Sequence, residues 1–413
     1  MSVIGSAVPR ATGAGLDLRL LAPVFTTVFV GMLWWIGFRP FVSQAAGDID
    51  SSVPVVGQVL TLGALLSAFA GLFTGPLADH YGQRRSIVIG LGLLSVGATL
   101  FALASHVTLL ALGGLIGGLG MAMTYGVAFA VVATHLEGST RRKAMGMTQA
   151  AASIAVVAGV PALVFVATIA RWRGAFLVLA GVMLLAMLIA ARLLPPDRRR
   201  PGRCTSPRAI LSIYRPLACV PSTRLLYVLS LLRSFAIVGL SIYLGAFYED
   251  VMGFSSREVG IAFMLEGIGG MLGNLAGGGR LGSIDQRRTF AVGSLLVGAG
   301  ALTIYTVRPE PYLIVAIAMS MAFISGITFT SLATMLASER TLGPSTTMVL
   351  NISTIALGAA LGSAAGGLLI RLGGYELIGF AALAGSAASA AVAARLRNPL
   401  GMAETANQAA HGD

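Results

Sequence analysis

The chain has 413 residues, of which 56% are hydrophobic and only 11% charged, and its mean hydropathy is +0.85. Soluble proteins carry about 25% charged residues, so a water-soluble fold is excluded for want of charge to cover its surface. The net charge is +12, nearly all from arginine with Lys143 the single lysine. These charges stand in short runs between apolar stretches, which excludes a continuous basic face for nucleic acid.

Residues 1–17 are polar and glycine-rich and lack the short apolar core and cleavage site of a signal peptide. The first apolar segment is therefore read as a retained span. Six apolar stretches follow in the first half, at 18–41, 55–78, 87–105, 108–134, 145–169 and 175–194. Six more lie at 223–248, 257–279, 289–307, 312–336, 346–370 and 375–394. Each approaches the ~20 residues needed to cross a hydrocarbon core of about 30 Å. The lipid interior forces the backbone to satisfy its own hydrogen bonds, so all should be helices. A barrel would need alternating strands of about ten residues, and the runs here are uninterrupted. The expected fold class is an all-α integral membrane protein with twelve transmembrane helices in two six-helix bundles. The expected division is 1–194 for the first bundle, 195–222 for a linker, and 223–413 for the second bundle with a short tail.

The linker holds Pro195, Pro196, Pro201, Pro207, Pro216 and Pro221 among its arginines. Residues 208–217 could form a short amphipathic helix on an anionic leaflet; a plain tether fits equally. Cys204 and Cys219, in and beside the linker, match no zinc or redox spacing. In a cytoplasmic linker both should be reduced thiols.

Arginine placement orients the chain. With the N-terminus cytoplasmic, that side collects Arg84, Arg85, Arg141, Arg142, Lys143, the linker arginines, Arg287, Arg288 and Arg395. The other side receives only Arg39, Arg171, Arg173, Arg257, Arg308 and Arg371. Both termini are thus expected to be cytoplasmic.

The halves carry a faint repeat. Gly75, Asp79, Gly82, Gln83, Arg84 and Arg85 close span two, and 278–288 after span eight again ends in Gln286, Arg287 and Arg288. Gly82 permits a turn, a carboxylate at Asp79 suits a helix N-terminus, and the arginines can pair with Asp79 or with opposing loops. In spacing and location Gly75, Asp79, Gly82, Arg84 and Arg85 resemble the signature between spans two and three of the major facilitator superfamily, with His80 in place of its usual arginine or lysine. The resemblance implies that this cluster latches one conformation of two bundles. Arginines serving topology alone are the alternative.

In span five, Gly159 and Pro161 resemble the glycine–proline element of that superfamily's drug and metabolite antiporters, and 171–176 resembles their Gly-Trp-Arg-x-x-Phe run. Proline inside a helix frees a carbonyl and kinks the chain. The resemblance to this twelve-span efflux branch implies a bacterial inner-membrane protein exchanging a small-molecule substrate against protons. One departure concerns span four, where Gly114 stands in the place of the branch's usual arginine.

An ionisable group at mid-bilayer costs at least about 2.5–3.5 kcal/mol. Arg233 and Glu266 each lie nine or ten residues into antiparallel spans, roughly 13–15 Å deep at 1.5 Å per residue. They are expected to meet, either as a proton carrier with its partner or as a structural ion pair. Arg39, near the outer end of span one, could hold an anion, pair with Asp48 or Asp50, or snorkel to the surface. Candidate cavity residues are Tyr125, Gln149, Asn274, Ser320, Thr328 and Asn351, together with Arg39.

No catalytic constellation, phosphate-cradling loop, cofactor motif or metal cluster is apparent, and the methionines at 121, 123, 145 and 147 suit flexible packing. The leading expectation is a monomeric, proton-coupled exporter of amphipathic or drug-like molecules embedded in the lipid bilayer, with no nucleic-acid partner. Uptake or exchange of an organic anion, favoured by Arg39 and Arg233, is the alternative; a non-transporting sensor or scaffold is the third.

Overall fold

The computed structural model describes residues 18–51, 53–197, 212–215, 217, 220–279, 285–339 and 341–396. Among these, every regular element is helical. The first half comprises α1 (Leu18–Ile36), a 3-10 turn (Arg39–Phe41), α2 (Val42–Asp48), α3 (Val53–Tyr81), α4 (Gln83–Ala102) and α5 (Val107–His135). Then α6 (Gly138–Ile154) runs through a π turn (Ala155–Gly159) into α7 (Val160–Leu193). The second half begins with α8 (Pro221–Arg233), a π turn (Ser234–Gly239), a 3-10 turn (Leu240–Tyr243) and α9 (Leu244–Asp250). It continues with α10 (Ser256–Gly278), α11 (Gln286–Leu302) with a π turn (Thr303–Val307), α12 (Pro311–Ser338), α13 (Pro344–Gly373) and α14 (Glu376–Arg395).

Local chemistry sets these starts. Pro221, Pro311 and Pro344 open α8, α12 and α13, where the missing N–H costs nothing. Ser255 and Glu258 form a reciprocal capping box at α10. Several helices begin before the apolar windows: α4 starts at Gln83 rather than 87, and α6 at Gly138 rather than 145. Those first turns carry arginines, which remain helical at the membrane edge while their head groups stay solvated. Asp79 consequently lies inside α3, not in a loop.

Among the described residues, eleven stretches are long and apolar enough to cross a membrane. The longest, Gly138–Leu193, has 56 residues; straight, it would measure roughly 84 Å, far beyond a ~30 Å core. It breaks at Ala170 and Arg171, where Arg171 has φ +57°. Asp48 holds the break: Trp172 Nε1 donates to its carboxylate at 2.9 Å and Arg173 Nη1 at 2.6 Å. That Trp172 bond, followed by the charges of Arg171 and Arg173, keeps the Asp48 carboxyl below its ordinary range. The Trp172 ring is fully buried and meets Phe38 edge-on at 5.8 Å.

Within the first half α4 packs on α5 and α7, α3 on α5, and α1 on α5, α6 and α7. In the second, α10 packs on α12, α11 on α12 and α14, and α8 on α13 and α14. Glycines permit backbone-close approach: a methyl on Gly97 would lie 2.9–3.0 Å from Gly113 and Gly117. Large apolar side chains such as Leu65, Phe69, Phe165, Ile169 and Leu368 point outward, the surface a lipid solvent favours. Among the described residues the halves meet along two seams, α13 against α3 and α5, and α6 against α10 and α12.

Candidate functional site

Between the halves lies a cavity of about 440 Å³. Met32 and Trp35 of α1, Gly71 of α3, Tyr125 of α5, Gln149 of α6, Asn274 of α10, Phe329 of α12 and Ser353 of α13 contribute to its wall. The wall is largely apolar, and among the described residues Arg233 is the one charged residue lining it. Arg233 is 5% exposed. Its Nη2 donates to the Ser325 carbonyl and hydroxyl, both at 2.9 Å, and its Nε to Thr328 Oγ1 at 3.3 Å. The guanidinium also sits 5.4 Å from the Phe329 ring centre. All these partners are neutral, and no ion pair among the described residues includes Arg233.

The expected Arg233–Glu266 pair is therefore absent. Glu266 accepts a hydrogen bond from the Tyr248 hydroxyl at 3.1 Å and lines a separate cavity inside the second half. The two groups lie on opposite sides of Ser325, which lines both cavities.

The remaining candidates divide. Tyr125, Gln149 and Asn274 line the central cavity. Gln149 Oε1 and Asn274 Oδ1 are buried without hydrogen-bond partners, while Asn274 Nδ2 reaches Ser153 across the seam at 3.4 Å. Thr328 stands behind the wall, holding Arg233. Ser320 and Asn351 are corrected: Ser320 is exposed on the outer surface and returns its hydroxyl to Ala316, while Asn351 bonds Ser230 between α13 and α8. Arg39 does not pair with Asp48, whose oxygens are taken by α7. It lines a side pocket of about 190 Å³ that shares Trp35, Ala64 and Met121 with the central cavity. Gly159 ends the π turn and packs against Phe29 and Leu33 of α1, and Pro161 opens α7.

At the end of the cavity bearing the Gln-Arg-Arg loops, Asp79 reaches across to the other half. The backbone N–H groups of Ser345 and Thr346 donate to its two oxygens at 2.8 Å each, and Thr346 Oγ1 adds a third bond at 2.7 Å. These are orphan donors at the start of α13, where the helix dipole favours an anion. A methyl on Gly75 would lie 2.9 Å from Thr346 Cα, so the glycine permits the approach. Arg84 and Arg85 do not pair with Asp79. Their backbone N–H groups donate to Asp197 at 2.9 Å each, and the Arg84 guanidinium bonds the Ala191 carbonyl. Asp197 thus caps α4, and Gly82, at φ +114°, turns the chain against it. Nothing in the local sequence flags Asp197, which lies more than a hundred residues from the helix it caps. Cys204, Cys219 and half of 208–217 lie outside the described residues.

Residues 24–343 match the Major Facilitator Superfamily. The chain is 24% identical over 353 residues to "Uncharacterized MFS-type transporter YwfA" of Bacillus subtilis, covering 82% of each chain. It is 25% identical over 360 residues to "Inner membrane transport protein YdhP" of Escherichia coli K12, covering 83% of this chain and 86% of that one. Its fold resembles the crystal structure of the human organic anion transporter MFSD10 with a TM-score of 0.77 at 19% identity, over 91% of this chain and 99% of the other.

Proposed function

As a member of the major facilitator superfamily this chain is a secondary membrane transporter of small molecules, and we propose that its substrate is an organic anion. The supporting observation is Arg233: a guanidinium buried in the central cavity among neutral partners, its charge uncompensated by any lining acid. A buried charge left without a counter-charge is costly, and an anionic substrate supplies one. Nη1 remains without a protein partner among the described residues, free to bond a carboxylate, sulfonate or phosphate. Trp35, Phe329 and Met32 give the same cavity an apolar wall for the substrate's body. The identity of MFSD10 as an organic anion transporter agrees with this reading, although at 19% identity the likeness is one of fold.

In this proposal two six-helix bundles alternate about the cavity, with the break at Ala170–Arg171 dividing the longest helix to give twelve spans. Both termini and the linker face the cytoplasm. Arg39, at the opposite end, draws anions through the adjoining pocket toward Arg233. A second reading, export of neutral amphipathic compounds, is favoured by the apolar wall alone.

The test uses purified protein in liposomes and a matched pair of probes, an aromatic carboxylate and its neutral amide. Arg233→Gln removes charge-assisted hydrogen bonding of about 1.5–3 kcal/mol. Carboxylate exchange should fall about ten- to a hundredfold, with Arg233→Lys intermediate because a point charge replaces a planar fork. Wild-type protein exchanging the amide as well as the carboxylate, or Arg233→Gln leaving carboxylate exchange intact, would leave the second reading in place.

A further inference from the structure

Pro76 lies inside α3. A proline has no N–H to give the carbonyl four residues back, so the Leu72 carbonyl lacks its helical donor. In a membrane-embedded helix a carbonyl freed in this way must be satisfied by a neighbouring group. The partner comes from outside the helix: the Tyr214 hydroxyl donates to the Leu72 carbonyl.

Tyr214 belongs to the linker between the halves, and its neighbours fix it there. Ile213 and Leu217 pack against the buried apolar core, and Leu217 N donates to the Tyr214 carbonyl at 3.0 Å. Ile213, Tyr214 and Leu217 thus dock on the protein, which a plain tether would not do. The chain then enters α8 at Pro221. There Thr223 Oγ1 donates at 3.1 Å to Thr341 Oγ1, between α12 and α13, so this end of the linker is anchored to the second half. Burial, and after it the charge of Asp79, raises the Tyr214 phenol above its ordinary range. The hydroxyl therefore keeps its proton and remains a donor at physiological pH. The phenol also stands within electrostatic reach of the carboxylate that bonds the start of α13.

We propose that Tyr214 is a strap across the α3–α13 seam, a positioning residue that favours the closed arrangement by satisfying the carbonyl that Pro76 leaves open. When the halves part, the linker residues ahead of α8 move with the second half and α3 moves with the first. Tyr214 must then release Leu72, whose carbonyl is left without a donor. Asp79 holds the seam through the first turn of α13; Tyr214 holds it through a gap in the hydrogen bonding of α3 itself. The acceptor is open because of a proline, so the contribution of the strap depends on Pro76. This inference rests on the two halves alternating, as in the transporter reading above, but not on the charge of the substrate.

The test is a double-mutant cycle on the full-length protein in detergent, read as the distance distribution between fluorophores flanking α3 and α13. Tyr214→Phe keeps the ring and removes the hydroxyl. It should lower the ratio of closed to open conformers about five- to tenfold. Pro76→Ala supplies an N–H for the Leu72 carbonyl. In that background Tyr214→Phe should change the ratio by less than about twofold. Loss of ring packing alone would act equally in both backgrounds. An unchanged ratio in Tyr214→Phe, or an equal fall with and without Pro76, overturns the proposal. Should Pro76→Ala fail to fold, the carbonyl carbon resonance of selectively labelled Leu72 decides. Loss of the bond in Tyr214→Phe should move it upfield, and an unmoved resonance overturns the assignment. Failure of the Arg233 test leaves these expectations untouched, whereas a wild type fixed at one distance overturns the alternation on which they rest.

Discussion

The seams α3–α13 and α6–α10 occupy related places in the two halves, yet they are held by different chemistry. At α3–α13 a carboxylate accepts three hydrogen bonds from the start of the opposing helix, and Gln83 adds a bond to Ser345 at 3.1 Å. At α6–α10 the contact is glycine on backbone. A methyl on Gly278 would meet Arg142 and Lys143 at 3.0–3.1 Å, and one on Gly146 would strike the Asn274 carbonyl. The side-chain bond described there, Asn274 to Ser153, is a long 3.4 Å. One seam therefore closes by directed electrostatics, while α6 meets α10 mainly by fit, with Arg141 of α6 donating to Ala337 and Ser338 of α12 beside that contact. The sequence repeat aligns Gln83 with Gln286 and so sets Gly282 opposite Asp79; an acid in this place occurs in one half alone.

The largest effect expected from this difference comes from Asp79→Asn. An amide turns its NH₂ toward donors and loses the charge, which costs about 1.5–3 kcal/mol of the closed seam. The ratio of closed to open conformers should fall about ten- to a hundredfold, read as the distance distribution between fluorophores flanking α3 and α13. Unchanged populations would show that the carboxylate does not hold the seam. Gly146→Ala should act less, because an added methyl in a tight contact costs about 1–3 kcal/mol and neighbouring backbone can yield. Its signature is separation of α6 from α10 with α3–α13 intact. If both seams open together in either variant, the two are one cooperative unit and the contrast dissolves.

The smallest effect separates the two Gln-Arg-Arg helix starts. In the second half Asp285 caps α11 locally, accepting from Arg287 N at 3.0 Å, while the Arg287 guanidinium bonds the Leu396 carbonyl. In the first half the equivalent cap is the remote Asp197. Burial alone would raise the Asp285 carboxyl, but the Arg287 and Arg288 contacts outweigh it and the net shift is downward. A depressed value means that its contribution is present above the unfolded aspartate range, about pH 4, and is lost as pH falls through the folded value. Asp285→Asn should cost about 0.5–1 kcal/mol near neutrality, a difference that vanishes in acid. Unfolding of wild type and variant across that range checks it; a constant difference would assign the cap's contribution to shape rather than charge.

Much of the helical layout was legible because lipid leaves so few backbone choices. The apolar windows located the spans within a turn or two, and the misfit lay at arginine-bearing ends, where hydropathy drops while the helix continues. Proximity was legible in part, since Arg233 and Glu266 line two cavities that share Ser325. Rotation about the helix axis was not, and rotation puts Glu266 in a chamber of its own. Polarity also misled at Ser320, because a helical serine can satisfy itself on the carbonyl four residues back and need not face a cavity. The Asp79 site read correctly as helix-terminal chemistry but attached to the wrong helix: its own neighbour, α4, takes Asp197 instead.

The glycine contact of α6 with α10 has a mechanical consequence. Gly146 and Gly278 have no rotamers, so parting and rejoining at these two positions freezes no side-chain entropy on return. Backbone slides on backbone as on a bare rail. What must be broken to part α6 from the second half then lies beside the glycines and not in them: Arg141 of α6 donates to the Ala337 carbonyl and to Ser338 of α12, and Asn274 reaches Ser153.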